Sequence, residues 1–189
     1  MLLRSIIPVL LAACPLMAAD LPNLLKNPGF ENGFSLCGTT AKAADGTLKV
    51  SGQLGDGWSD NSDWADVQVL YAQERSTRHG GDSAQRIMAV KFGSGAIQFV
   101  QQLDLQQGHA YAFSVWVRGT PGTSMELTLR KRTEPYTTYA STSVPLTGEW
   151  QQRTVSGTAS EAGEGFAMLR LSAAGEALVD DATLVDTTK

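Results

Sequence analysis

The clearest pattern in the chain is an alternation. From Tyr111 to Arg118, Tyr111, Phe113, Val115 and Val117 fall on one side of an extended backbone, and Ala112, Ser114, Trp116 and Arg118 fall on the other. A period of two with β-branched and aromatic residues predicts a half-buried strand. Ala96 to Leu105 predicts a strand just upstream, and Gln107-Gly108 a hairpin turn between the two, because glycine takes a positive φ at no steric cost. One face of Tyr111–Arg118 is apolar enough to build a core. The other holds a tryptophan and an arginine, which makes it the first place to look for function.

Similar short runs predict strands at Thr47–Val50, Asp66–Ala72, Ser83–Lys91, Met125–Arg132, Glu149–Gly157, Phe166–Ser172 and Leu178–Val185. Asn23–Gly33 reads as a short strand followed by turns, lying beside the last strand. Gly52–Asp66, rich in Gly, Asp, Asn and Ser, reads as a surface loop carrying Trp58 and Trp64. Glu134–Thr142, with Tyr136 and Tyr139, reads as a loop or strand edge, and Trp150 at the head of its strand as a core residue. Roughly eight to ten strands with turn signals about every 8–12 residues predict an all-β protein, a β-sandwich or jelly roll. The 189 residues are long enough for one domain with a real core, and no repeat or linker divides them.

Composition changes the picture at three points. A net charge of −4 makes a nucleic-acid backbone a poor partner. Residues 1–19 read as an export signal: a basic start at Arg4, an apolar run from Ser5 to Met17, and a cleavage site around Ala18-Ala19-Asp20. The run is too short to span a bilayer, so residues 20–189 are expected to be a secreted or periplasmic domain without membrane insertion. Leu11-Ala12-Ala13-Cys14 supports an alternative, an outer-membrane lipoprotein with a lipid anchor on Cys14. Cys37 then has no disulfide partner and reads as a small buried apolar residue.

A set of short segments occurs in a telling order: Asn-Leu-Leu-Lys-Asn-Pro-Gly-Phe-Glu (23–31), His-Gly-Gly-Asp-Ser-Ala-Gln-Arg-Ile (79–87), Gln101 through Arg118, Gly-Glu-Trp (148–150) and Leu-Val-Asp-Asp-Ala-Thr-Leu (178–184). Together they resemble the carbohydrate-binding modules of the family 4/9/22 type, over nearly all of residues 20–189. The resemblance implies a galactose-binding-domain-like jelly roll and an exported, non-catalytic protein that binds polysaccharide or oligosaccharide through an aromatic-lined cleft. Such modules are usually attached to a glycoside hydrolase, and no catalytic domain is recognisable here.

Sugar rings need flat aromatics for their apolar faces and amide, carboxylate or guanidinium groups for their hydroxyls. Trp116 and Arg118 share a strand face, and Arg130 lies with Glu126 on the polar side of Met125–Arg132. Trp58 and Trp64 sit in a loop that can border a cleft. The resemblance adds Gln101 as a cleft glutamine and Tyr136 and Tyr139 as stacking aromatics. For Gln101 the alternation with Phe99 and Leu103 points inward instead, so the two readings disagree.

A metal is the second expectation. Asp180 falls among Leu178, Ala182 and Leu184, where a carboxylate is costly unless paired or bound to a cation. Glu31 is its natural partner, and the resemblance implies a structural Ca²⁺ at the matching Glu and Asp, whose hard oxygens suit that ion.

Catalysis finds little support. The two histidines, His79 and His109, lie in turn sequences, Asp180 and Asp181 point to opposite sides of a strand, and no nucleophile elbow, phosphate loop or zinc spacing occurs. Two rival readings remain: a cell-envelope protein using the same face for a protein partner, and a small hydrolase of unrecognised type.

Overall fold

The computed structural model describes residues 21–188 other than Thr39. The proposed export signal, with Cys14, lies outside the described residues. Two sheets pack face to face. One has seven strands in the order β1 (Phe34–Leu36), β2 (Val50–Gly55), β4 (Asp66–Glu74), β5 (Ala84–Ser94), β12 (Gly175–Asp186), β7 (Ala110–Gly119), β10 (Gln151–Thr158). The other has five: β3 (Ser59–Asp60), β6 (Ile97–Leu105), β11 (Gly163–Leu171), β8 (Ser124–Lys131), β9 (Thr138–Pro145). All pairings are antiparallel except β2 with β4. The all-β sandwich and its jelly-roll class are as the alternation implies, and among the described residues there is no helix.

The core lies between the sheets. Phe113, Val115 and Val117 on β7 and Val179 and Leu184 on β12 face Phe99, Leu127, Leu129 and Leu169 of the other layer, all buried. Fully burying one such side chain stabilises the fold by about 1.5–3 kcal/mol, so the apolar stripes dominate the choice of fold. Gln85 is the polar exception: its amide donates to the carbonyls of Gln53, Ala72 and Arg86, and its oxygen accepts from Gly55. That full set of partners is what makes a buried amide tolerable.

Three local expectations change. Gln107-Gly108 does not close a hairpin, because β6 and β7 belong to different sheets. Gly108 does take a positive φ of 79°, but the turn carries the chain across the sandwich, clamped by Gly108 N–H on the Ala159 carbonyl and Gln106 N–H on the Tyr111 hydroxyl. Residues 23–28 form no strand, yet they do run beside the last one: Leu24 N–H donates to the Leu184 carbonyl, and the Asn23 side chain brackets Ala182 and Leu184. Finally, β12 does not keep one apolar face. Its register against β7 shifts between Asp180 and Thr183. Leu178 and Asp180 therefore sit opposite Arg118 and Trp116 on the outer side, whereas Leu184 sits opposite Phe113 in the core.

Candidate functional site

The outer side of the five-stranded sheet carries an open cleft of about 640 Å³. Its floor comes from outward positions of adjacent strands: Gln98 on β6, Phe166 on β11, Arg130 on β8. Its walls come from two loops. One follows β3 and presents Asn61 and Trp64; the other joins β8 to β9 and presents Thr133, Glu134 and Tyr136. Trp64 is 60% exposed and Tyr136 48% exposed. A smaller recess, lined among others by Glu126, Met168 and Arg170, shares Gln98, Arg130 and Tyr136 with the cleft and extends it along the sheet.

Each wall is held. Trp64 donates its indole N–H to the Asn61 carbonyl at 2.9 Å, and Asn61 donates to the Gln98 side chain at 2.7 Å. Gly95, at φ 87°, packs beneath that indole: a Cβ there would lie 2.9 Å from Trp64 Cζ3. Tyr136 sits in the left-handed region at φ 58°, and its N–H donates to the Thr133 carbonyl. A tyrosine held in that conformation marks a loop fixed by its surroundings.

Arg130 is the central polar group. Its guanidinium carbon lies 5.0 Å from the Tyr136 ring centre and 5.6 Å from that of Phe166. Burial favours its neutral form and holds it below the usual arginine range, with the Tyr136 hydroxyl opposing. No acidic side chain lies within ion-pair distance, and its buried Nε has no hydrogen-bond partner among the described residues. The neighbouring cations are committed: Arg132 pairs with Glu164, and Arg170 with Glu126 at 3.0 Å. Burial would raise the Glu126 carboxyl, but the Ser141 hydroxyl and Arg170 outweigh it and hold the group lowered.

Of the residues singled out from the sequence, the cleft gathers Trp64, Arg130 and Tyr136. The others lie elsewhere. Trp58 is 6% exposed and stacks on Phe99 at 4.6 Å, giving its indole N–H to the Asn27 carbonyl; it is part of the core. Gln101 is 2% exposed and points inward as the alternation implied, bonding both the N–H and the carbonyl of Lys26 and so pinning the N-terminal segment to the sheet. Tyr139 is half-buried, packs against the core and donates to the Glu161 carbonyl. Trp116 and Arg118 are on the outer side of the seven-stranded sheet, the opposite face of the sandwich. Phe166, Gln98 and Asn61 were missed. For Phe166 a signal existed: it is an aromatic on the outward parity of a strand whose Ala167 and Leu169 point in.

The proposed metal ligands do converge. Glu31 Oε1 accepts from the N–H groups of Asp82 and Ser83, at 2.9 and 3.0 Å. Asp180, with no exposed surface, accepts from His79 and Gly80 on one oxygen and from Asp181 on the other. Burial raises the Asp180 carboxyl against those N–H donors. Both carboxylates therefore grip one loop, 79–83, and no cation lies within ion-pair distance of Asp180 among the described residues. The donors are hard oxygens of the kind Ca²⁺ takes, although among the described residues no three acidic, His or Cys side chains are gathered into a shell.

Among the described residues no hydroxyl or thiol is paired with a histidine base. Burial, with Asp60, pushes the Cys37 thiol up to about 11, so it is not a thiolate near neutrality. His79 and His109 each meet a carboxylate through Nδ1, Asp181 and Asp186 respectively, both at 2.7 Å, but neither ring is bonded to a hydroxyl or thiol among the described residues.

Residues 22–165 match the model of the carbohydrate binding domain family of the 4/9 type. The chain belongs to that family. Its members are non-catalytic binding modules. Among curated proteins, none matches the chain. Among solved structures, a module described as "CBM4 structure and function" aligns over 86% of this chain and 99% of its own, at 19% identity and a TM-score of 0.60. A putative sugar binding protein from Bacteroides thetaiotaomicron aligns over 88% and 100%, at 14% identity and a TM-score of 0.57. The module TmCBM61, solved in complex with beta-1,4-galactotriose, aligns over 87% and 99%, at 21% identity and a TM-score of 0.51. These likenesses establish the shared fold of the module.

Proposed function

We propose that the module is an exported, non-catalytic protein that binds a polysaccharide chain along the cleft of the five-stranded sheet. The observation that carries the reading is the pairing of two exposed rings, Trp64 and Tyr136, on one cleft with an arginine, Arg130, that has no acidic partner. Each ring stacks a sugar face, and Arg130, Gln98 and Asn61 meet the hydroxyls. Open walls and the extension past Met168 suit an internal stretch of a chain rather than a single sugar. A relative solved with galactotriose supports the ligand class. Both rings line one groove rather than a flat apolar patch, which favours sugar over a protein partner.

The test is a binding screen of the purified chain against neutral polysaccharides, repeated with Tyr136→Ala. The expected result is binding to one glycan class, weakened about tenfold or more in the variant, equivalent to roughly 1.4 kcal/mol. Binding that is unchanged in Tyr136→Ala removes the cleft from the reading.

A structural calcium ion belongs to the same proposal. Glu31 and Asp180 would hold it, and the ion would neutralise a wholly buried carboxylate and tie loop 79–83 to β12. Export is supported by the sequence of residues 1–19; determination of the mature N-terminus decides between cleavage near Ala19 and acylation at Cys14.

A further inference from the structure

We propose that the outer side of the seven-stranded sheet carries a second binding site, selective for an acidic sugar, that is, a pyranose ring bearing a carboxylate. This goes beyond the cleft and does not depend on it. A recess of about 500 Å³ opens there between loop 76–81 and the edge of β7 and β10. Arg78, His79, Arg118, Trp150, Ser76 and Thr77 line it with two glycines, and no carboxylate does. In a chain with a net charge of −4 the lining is locally cationic, with Asp181 behind it, bonded to His79.

The cationic lining rests on Arg118. Its guanidinium makes no ion pair or hydrogen bond among the described residues. Arg86, the next arginine on this face, is held by Glu74 and, at 3.5 Å, by Glu176. A planar guanidinium fork without a partner is the shape that meets a carboxylate through two parallel hydrogen bonds. Beside it, Trp150 is partly buried and lies outside the core cluster. It stands edge-on to His79, with ring centres 6.0 Å apart at 70°. His79 in turn stacks on Trp116 at 3.7 Å and is fixed by Asp181 at 2.7 Å. Trp116 is thus covered by the protein's own imidazole, and Trp150 is the ring that remains for a ligand.

The recess is built in advance. Glu74 accepts from the N–H groups of Ser76 and Thr77, and Arg78 braces the carbonyls of Gly81 and Arg75. A loop already ordered costs less to bind with. A second recess of about 220 Å³ shares Thr77 and Arg118 and continues toward Thr120 and the Arg86–Glu176 pair, leaving room for a neighbouring sugar whose hydroxyls meet that pair. A simple anion would use Arg118 alone, whereas a uronic acid residue uses Arg118 and Trp150 together.

The experiment is calorimetric titration of the purified chain at low salt with oligogalacturonate and oligoglucuronate, with neutral oligosaccharides of the same length, and with inorganic phosphate. Wild type is compared with Arg118→Gln, Trp150→Ala and Tyr136→Ala, each checked for an unchanged circular dichroism spectrum. The expected result is binding of at least one acidic oligosaccharide, weakened about tenfold or more by Arg118→Gln through loss of the charge-assisted pair. It should also weaken with Trp150→Ala and with added salt, and be unaffected by Tyr136→Ala. Failure of both acidic oligosaccharides to bind wild type overturns the proposal. So does equal binding by Arg118→Gln, or loss of binding in Tyr136→Ala, which would place the acidic ligand in the cleft. Phosphate binding as tight as the oligosaccharide, with no effect of Trp150→Ala, reduces the recess to an anion site and overturns the sugar.

Discussion

The two outer faces of the sandwich are made from similar residues and arranged to opposite ends. Each combines tryptophan or tyrosine with an arginine that lacks an acidic partner. On the five-stranded side the rings stand apart on two loops, Trp64 and Tyr136, and Arg130 lies between Tyr136 and Phe166 with Glu134 and Glu126 lining the same cleft and its extension. On the seven-stranded side the rings are gathered into a stack, Trp116 under His79 with Trp150 at its edge, and the recess that His79 and Trp150 border is lined by no carboxylate, Asp181 holding His79 from outside that lining. The lesson is that an aromatic on a sheet surface is not a binding platform by virtue of its type. It becomes one when the protein does not cover it with its own rings. By that criterion Trp64, Tyr136 and Trp150 keep a ring open to solvent, whereas Trp116 is covered by His79.

The comparison can be sharpened within one loop. Trp58 and Trp64 are six residues apart in similar polar sequence, yet Trp58 belongs to the aromatic cluster of Phe30, Phe99 and Tyr71, and Trp64 stands on the cleft wall. Trp58→Ala should cost about 3–5 kcal/mol of stability, as core tryptophan truncations do. Trp64→Ala should change stability by only about 0.5 kcal/mol while lowering glycan affinity. Denaturant melts of both variants measure this, and similar losses from the two would erase the distinction between core and platform.

The next effect concerns the loop that roofs Asp180. If Glu31 and Asp180 hold calcium, a hundredfold excess of the ion over its dissociation constant stabilises the fold by about 2.7 kcal/mol. The melting temperature should then rise by several degrees with calcium and fall with EDTA, and Asp180→Asn should be insensitive to both. Identical melts of the wild type with calcium and with EDTA would end the calcium proposal.

The smallest expected effect is a pH dependence on the same side. Burial alone would raise the Glu74 carboxyl, but the Ser76 hydroxyl, the N–H groups of Ser76 and Thr77, and Arg86 together lower it from 4.5 to about 2. A carboxyl lowered on folding contributes stability above its unfolded value, and that contribution is lost as pH falls through the folded value. Glu74→Gln should therefore melt below wild type at neutral pH, and the gap should close as pH falls from about 4.5 toward 2. A gap that stays constant across that window would mean that the ionised carboxylate is not what braces loop 74–77.

Much of the fold was legible because it rests on local alternation. Tyr111, Phe113, Val115 and Val117 do point into the core, and Gln101 obeys the same parity against the family expectation. The site was legible only in part. Trp64, Arg130 and Tyr136, singled out by residue type, share the cleft, whereas Trp116 and Arg118, read as outward, belong to the other sheet. Parity says that a residue leaves the core; it does not say which of two surfaces it reaches.

By itself, then, the sequence determined most of the strands, the inward side of most of those, and the family. These follow from interactions between near neighbours and from apolar burial, which a linear pattern records. Tertiary structure decided what depends on residues far apart along the chain. The crossing at Gly108 put β6 and β7 in different layers, the shift after Asp180 turned its carboxylate outward under loop 79–83, and the packing of Phe99 drew Trp58 into the core. Layer assignment and ring-on-ring cover are properties of three-dimensional neighbours. For that reason the cleft and the acidic-sugar recess became visible only when both faces of the sandwich could be compared.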